Sequence, residues 1–230
     1  GFLTADGSNF TAPPLSTINE DVRDSAGDLV STFLDTDSVD DSDSGNVKGV
    51  AIVETDPVVA KGTWQFSTTD PVNFTTFTAT AASSLLLDGA NANHRIRFVP
   101  AQDFNGTATI KYRAWDKSDE VAAGRGPLSG ETANTATNGD PTPFSSALVT
   151  KTITVTPVND QPDTTFLFPS LTSDEDIGRQ EVTNFATLIR GGGTTEDTQT
   201  LTFTVTNNNN SLFTADGQPA ISPTGTLTFT

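Results

Sequence analysis

The stretch FVPAQDFNGTATIKYRAWD, Phe98 to Asp116, holds a turn and then a strand whose side-chain order decides the fold. Within TATIKYRAW, Ile110, Tyr112 and Ala114 fall on one face, and Lys111, Arg113 and Trp115 on the other. Successive side chains of a strand point to opposite sides, so this order predicts a sheet with one buried and one wetter face. The same alternation recurs in VKGVAIVET (Val47 to Thr55), GTWQFST (Gly62 to Thr68), HRIRFVP (His94 to Pro100) and ALVTKTITVTPV (Ala147 to Val158). Polar runs rich in Gly, Asn, Asp and Pro separate these strands, as in an all-β protein with many turns.

After Pro162 the cycle restarts with EVTNFATLI, QTLTFTVTN and GTLTFT. Ile18-Asn19-Glu20-Asp21-Val22 lines up with Ser173-Asp174-Glu175-Asp176-Ile177, and the acidic LDTDSVDDSD (Leu34 to Asp43) corresponds loosely to TTEDTQ (Thr194 to Gln199). Self-similarity of this kind marks a tandem array. The expected organisation is an N-terminal segment over 1–12, read as a strand of a preceding unit, then a β-sandwich over 13–160 and a second over 161–230 that lacks its last strands. Lys117 to Ser146 has no periodicity and reads as a long surface loop. The chain has no Met, so Gly1 is not a translation start and the sequence reads as an excerpt of something longer.

A net charge of −17 would repel nucleic acid and anionic lipid and favours a cation as partner. With no Cys there is neither a disulfide framework nor a thiolate site, and a single His excludes multi-histidine zinc centres within one chain. No apolar run approaches the roughly 20 residues of a membrane span, so membrane insertion is not expected.

With these motifs in order, INEDV, PAQDFNGT and PVNDQP, the chain resembles the cadherin-like tandem repeats of very large bacterial surface and secreted proteins, adhesins among them. The resemblance implies tandem Ig-like, Greek-key β-sandwiches, an extracellular or cell-surface location, and calcium (Ca2+) held where one repeat meets the next. Carried onto this chain, Glu20, Asn159 and Asp160 would meet Glu196 and Asp197 around the ion. A second site at the other end of the first unit would use Asp35, Asp37 and Asp116. The segment FTAPPLST before Ile18 has prolines but no Asn-Asp pair, and Glu175 would serve a junction after the second unit.

The residue types suit that role. Calcium takes about 6–8 oxygen ligands, which carboxylates and amide carbonyls supply. The prolines flanking Asn159 and Asp160 restrict the linker and reduce the entropy lost on ordering it. The same acids also read as solvated surface and turn formers, and for Asp40, Asp41 and Asp43 that is the favoured reading.

Other residues suggest other functions. Trp64 reads as core, whereas Trp115, sharing a face with Lys111 and Arg113, reads as an exposed aromatic that with Tyr112 could stack on a glycan. Asn9, Asn73 and Asn105 begin Asn-x-Ser/Thr acceptor patterns. Gly191-Gly192-Gly193 lacks the Lys-Ser/Thr of a phosphate loop and reads as a flexible turn. His94 has no nucleophile elbow to pair with, and no catalytic constellation stands out.

The leading expectation is therefore a structural repeat module of a large extracellular protein, stiffened by calcium, with neighbouring repeats or subunits as partners. The alternatives are a carbohydrate- or surface-binding module, and a filament subunit whose second unit is completed by a strand from another chain.

Overall fold

In the computed structural model, which describes residues 13–34, 49–56, 59–117, 128–168, 170–174, 176–193 and 195–230, the chain divides into two units, Gly1–Val158 and Asn159–Thr230. The division falls two residues before the expected one, because Asn159 and Asp160 bond to residues of the second unit. The expected 1–12 segment lies outside the described residues. Both units are built from strands, and no α-helix occurs among the described residues. Among the described residues no helix is long and apolar enough to cross a membrane.

The first unit runs β1 (Ile18–Asn19), β2 (Asp28–Leu29), β3 (Gly49–Thr55), β4 (Gly62–Ser67), β5 (Thr75–Thr76), β6 (Ser84–Asp88), β7 (Arg95–Pro100), β8 (Gly106–Trp115), β9 (Thr132–Ala133) and β10 (Val149–Thr156). One sheet has the order β1-β10-β8-β3-β6-β9 and the other β2-β7-β4-β5. Among the described residues of this unit only β1 and β10 pair in parallel; the other pairs are antiparallel. The core between the sheets takes side chains from both: Val50, Ile52, Ile110 and Ile153 from one, Trp64, Ile96 and Phe98 from the other.

The alternation in β8 holds as expected for Ala108, Ile110, Tyr112 and Ala114, all buried. Tyr112 keeps its hydroxyl satisfied by donating to the Phe33 carbonyl at 2.7 Å. Trp64 lies opposite Phe98 with ring centroids 5.0 Å apart, in the core as expected. Lys151 also points inward from β10. Its aliphatic stem is buried, while Nζ donates to the Thr32 carbonyl at 2.7 Å and sits 4.7 Å from the Phe33 ring centroid.

Two expectations are corrected here. Trp115, read as exposed, is 0% exposed, in a second apolar cluster with Ala51, Leu86 and Phe144. The cause is the supposed surface loop, whose residues 128–146 fold back over the outer face of the six-stranded sheet. There β9 pairs with β6, Asp116 N–H donates to the Pro143 carbonyl at 3.0 Å, and Ser84 and Thr135 hydroxyls meet at 2.7 Å. A face covered on both sides reads apolar at every position, as Gly49–Val53 does.

The second unit contains β11 (Asp163–Phe166), β12 (Gln180–Val182), β13 (Ala186–Arg190), β14 (Ala220–Ile221) and β15 (Leu227–Phe229). β11 pairs with β13, and β12-β15-β14 form a second small sheet, all antiparallel. Among its described residues, Ala186 and Leu227 are the buried apolar side chains. Phe166, Phe168, Leu171, Ile177, Leu188 and Leu212 stay exposed.

Candidate cation site

In the first unit the three motifs named above come together at Glu20, which is 2% exposed. Its place follows from β1: Ile18 and Asn19 pair with Val155 and Thr156, and Glu20 N–H continues the ladder onto the Thr156 carbonyl at 3.0 Å. The turn that follows aims the carboxylate inward. Oε1 accepts the Val158 N–H at 2.6 Å, and Oε2 accepts the Asn105 amide at 2.9 Å. Asn105 is delivered by the turn before β8, where Asp103 (φ 56°) and Gly106 (φ 127°) take left-handed backbone conformations. The amide nitrogen that a glycan would need on Asn105 is thus already engaged with Glu20.

In the second unit a different carboxylate, Glu196, 7% exposed, gathers the linker backbone. Its Oε2 accepts the N–H groups of Asp160 at 3.0 Å and Gly193 at 3.3 Å, and its Oε1 accepts the Gln199 amide at 3.0 Å. Gln199 Nε2 also donates to Asn159 Oδ1 at 3.2 Å, and Asn159 Nδ2 donates to the Asp160 carbonyl at 3.0 Å. The glycine triplet is not merely a flexible turn. A Cβ on Gly191 would lie 2.4 Å from Glu196 Cβ, one on Gly192 2.2 Å from the Gln161 carbonyl oxygen, and one on Gly193 2.8 Å from Asp160 Oδ2. No larger residue allows the linker and the Glu196 loop to approach this closely.

Of the residues expected to bind metal, Asn159, Asp160 and Glu196 are therefore brought together in the second unit, and Glu20 is placed in the first. Asp197 is exposed and takes no part in this hydrogen-bond set. Asp116 is half-buried at the end of β8, while Asp35 and Asp37 lie outside the described residues. Among the described residues no group of three or more His, Asp or Glu side chains is gathered closely enough to hold an ion. The donor chemistry of the linker, all oxygen and acidic, suits a hard cation, but the described side chains alone do not reach the coordination number calcium requires.

Sequence reasoning missed Asn105 and Gln199, the neutral amides that orient the two glutamates. Gln199 stands three residues after Glu196, a spacing that a glutamate in a turn can reach. His94 is buried just before β7, its Nδ1 3.0 Å from the Asp88 carbonyl and 3.1 Å from Ser129 Oγ. Burial pushes its pKa below the ordinary 6.5, with Asp88 opposing that shift and Lys117 adding to it. Comparison with protein-family models, with curated proteins and with solved structures returns no match.

Proposed function

We propose that this chain is a pair of structural repeat modules of an extracellular protein, of the cadherin-like, Ig-like Greek-key type, in which calcium at the linker stiffens the array. The observation that carries the reading is the treatment of the linker backbone. Two nearly buried glutamates, Glu20 and Glu196, each take a linker N–H, those of Val158 and Asp160. A linker meant only as a tether has no need of buried carboxylates. The strand order and the parallel β1–β10 pair support the Ig-like assignment. In this reading Asn159 and Asp160 offer the oxygen donors to calcium, with Asp197 and the Asp35, Asp37 and Asp116 group as further ligands. No catalytic role is proposed.

The glycan alternative has lost its observation, since Trp115 and Tyr112 are both buried and neither can stack on a sugar ring. The test is small-angle scattering and thermal unfolding with calcium and with chelator, on the parent and on the Asn159→Ala/Asp160→Ala variant. Calcium should lengthen or stiffen the particle and raise Tm only when the pair is intact. An unchanged profile and midpoint in the parent would remove calcium from the reading.

A further inference from the structure

In β7, Ile96 and Phe98 enter the core, so Arg95 and Arg97 stand on the outer face of the four-stranded sheet. There Arg97 lies opposite Gln65 in the β4–β7 pair, beside the loop that follows β4. Asp70 holds that loop. Its Oδ1 accepts the N–H groups of Val72 at 2.8 Å and Asn73 at 2.6 Å, and its Oδ2 accepts the Asn73 amide at 2.7 Å. Between loop and strands lies a concavity of about 550 Å³ whose walls include Gln65, Thr68, Thr69, Asn73, Thr75 and Arg97.

Arg97 is fixed in this wall without a counter-ion. Its Nε donates to Gln65 Oε1 at 2.8 Å, its Nη1 donates to the Ser25 carbonyl at 3.0 Å, and its guanidinium carbon lies 3.9 Å from the Phe74 ring centroid. Nη2 donates to none of the described residues, and no described carboxylate lies within 4.0 Å of the guanidinium. A guanidinium pinned at two nitrogens and stacked on a ring loses little further freedom when an anion binds the third.

The surroundings specify the anion. The N–H groups of Thr69, Asp70, Val72 and Asn73 are all turned onto Ser67 Oγ or the Asp70 carboxylate, so this loop leaves no nest of backbone donors for a phosphate or for the carbonyls of a peptide. A single fixed guanidinium matches a monoanionic carboxylate. Around it stand hydroxyls and amides, which donate and accept alike, as the partners of a sugar's hydroxyls must. Pockets for drug-like molecules are predominantly apolar; this one is walled mainly by polar side chains.

We propose that this concavity is a saccharide-binding site whose preferred ligand carries a carboxylate, received by Arg97, with the ring hydroxyls met by Thr68, Thr69, Asn73 and Thr75. The site shares no residue with the Trp115 and Tyr112 alternative and does not rest on calcium at the linker.

The test titrates the full chain with trigalacturonate, its methyl ester and triglutamate, followed by heteronuclear NMR, at about 0.15 M salt so that the chain's negative field is screened beyond roughly 8 Å. Trigalacturonate should give saturable shifts at Thr68, Thr69, Thr75 and Arg97 Nε. The ester should bind about 10- to 100-fold more weakly, having lost the charge-assisted hydrogen bonds. Arg97→Gln should weaken trigalacturonate to the level of the ester. Thr75→Glu adds a repelling charge at an exposed edge position without touching the contacts of Arg97, and should weaken trigalacturonate about tenfold while leaving the ester unchanged. No saturable shift at about 10 mM, where a Kd of about 1 mM would fill about nine-tenths of the sites, would overturn the proposal. So would equal binding of acid and ester, or an Arg97→Gln variant that melts and binds as the parent does. Triglutamate binding as tightly as trigalacturonate would make the site a receptor for acidic peptides instead.

Discussion

Replacing Glu20 by Ala removes a carboxylate that ties the end of β1 to the turn before β8 and to the backbone after β10. Its two bonds, to Val158 N–H at 2.6 Å and Asn105 Nδ2 at 2.9 Å, are both to a charged acceptor. Each such bond contributes about 1.5–3 kcal/mol, and losing one leaves its donor in a space vacated by the side chain. Val158 and Asn105 are only half-buried, so water recovers part of this and the expected net cost is about 2–4 kcal/mol. For a unit of this size that lowers Tm by roughly 5–15 °C. Glu20→Gln separates charge from geometry. Its carbonyl can still accept from Val158, and the Asn105 amide can rotate to accept from the new NH2, leaving a cost of about 1 kcal/mol. Calorimetry gives the midpoint, and amide exchange at Val158 gives the local effect. The double variant with Asn105→Ala should be less than additive, because both changes break one bond. If Glu20→Ala melts within about 2 °C of the parent and Val158 exchanges no faster, the carboxylate does not clasp this backbone.

Gly192→Ala should destabilise the second unit by about 1–3 kcal/mol through overpacking against the Gln161 carbonyl, read as an earlier transition and faster exchange at Asp160. Gly178→Ala, at φ 75° with open space around it, is the control and should cost about 1 kcal/mol from backbone strain alone. His94 is held neutral by burial, so its folded pKa lies below the unfolded 6.5. The unfolded chain then binds the proton first as pH falls, and stability conferred above pH 6.5 is lost on acidification through the folded pKa. Tm followed from pH about 7 to 5 should fall less steeply in His94→Gln than in the parent; parallel curves would show that His94 does not contribute to the slope.

The strands were legible because alternation is a local property: β3, β4, β7, β8 and β10 all fall within runs that the period picks out. Trp115 was not, because alternation says which face a residue takes and nothing about what covers that face. The cover comes from residues 128–146, where Ala133 and Phe144 are scattered among turn residues with no period to mark them. Lys151 misleads in the opposite sense, a charged residue at an inward position made tolerable by the Thr32 carbonyl and the Phe33 ring. At the site, Glu20, Asp160 and Glu196 were legible as positions but not as roles. A carboxylate's taste for backbone N–H leaves no more trace in sequence than its taste for a cation.

That distinction sharpens the calcium reading. The linker PVNDQP begins and ends in proline, so between Pro157 and Pro162 only Val158, Asn159, Asp160 and Gln161 carry N–H donors. Two of those four are taken by Glu20 and Glu196, and each oxygen of both glutamates already accepts a hydrogen bond. A cation drawing on these glutamates would compete with bonds that hold the backbone in place, whereas one drawing on Asn159 Oδ1 would displace only the Gln199 amide from it. Glu196→Gln tests the division of labour, since the amide keeps an acceptor for Asp160 N–H while Gln199 can rotate to meet the new NH2. If Glu196 acts as a clasp, the variant retains the calcium-induced rise in Tm that Asn159→Ala/Asp160→Ala abolishes. Loss of that rise in Glu196→Gln, with the chelated midpoint unchanged, would instead make Glu196 a ligand.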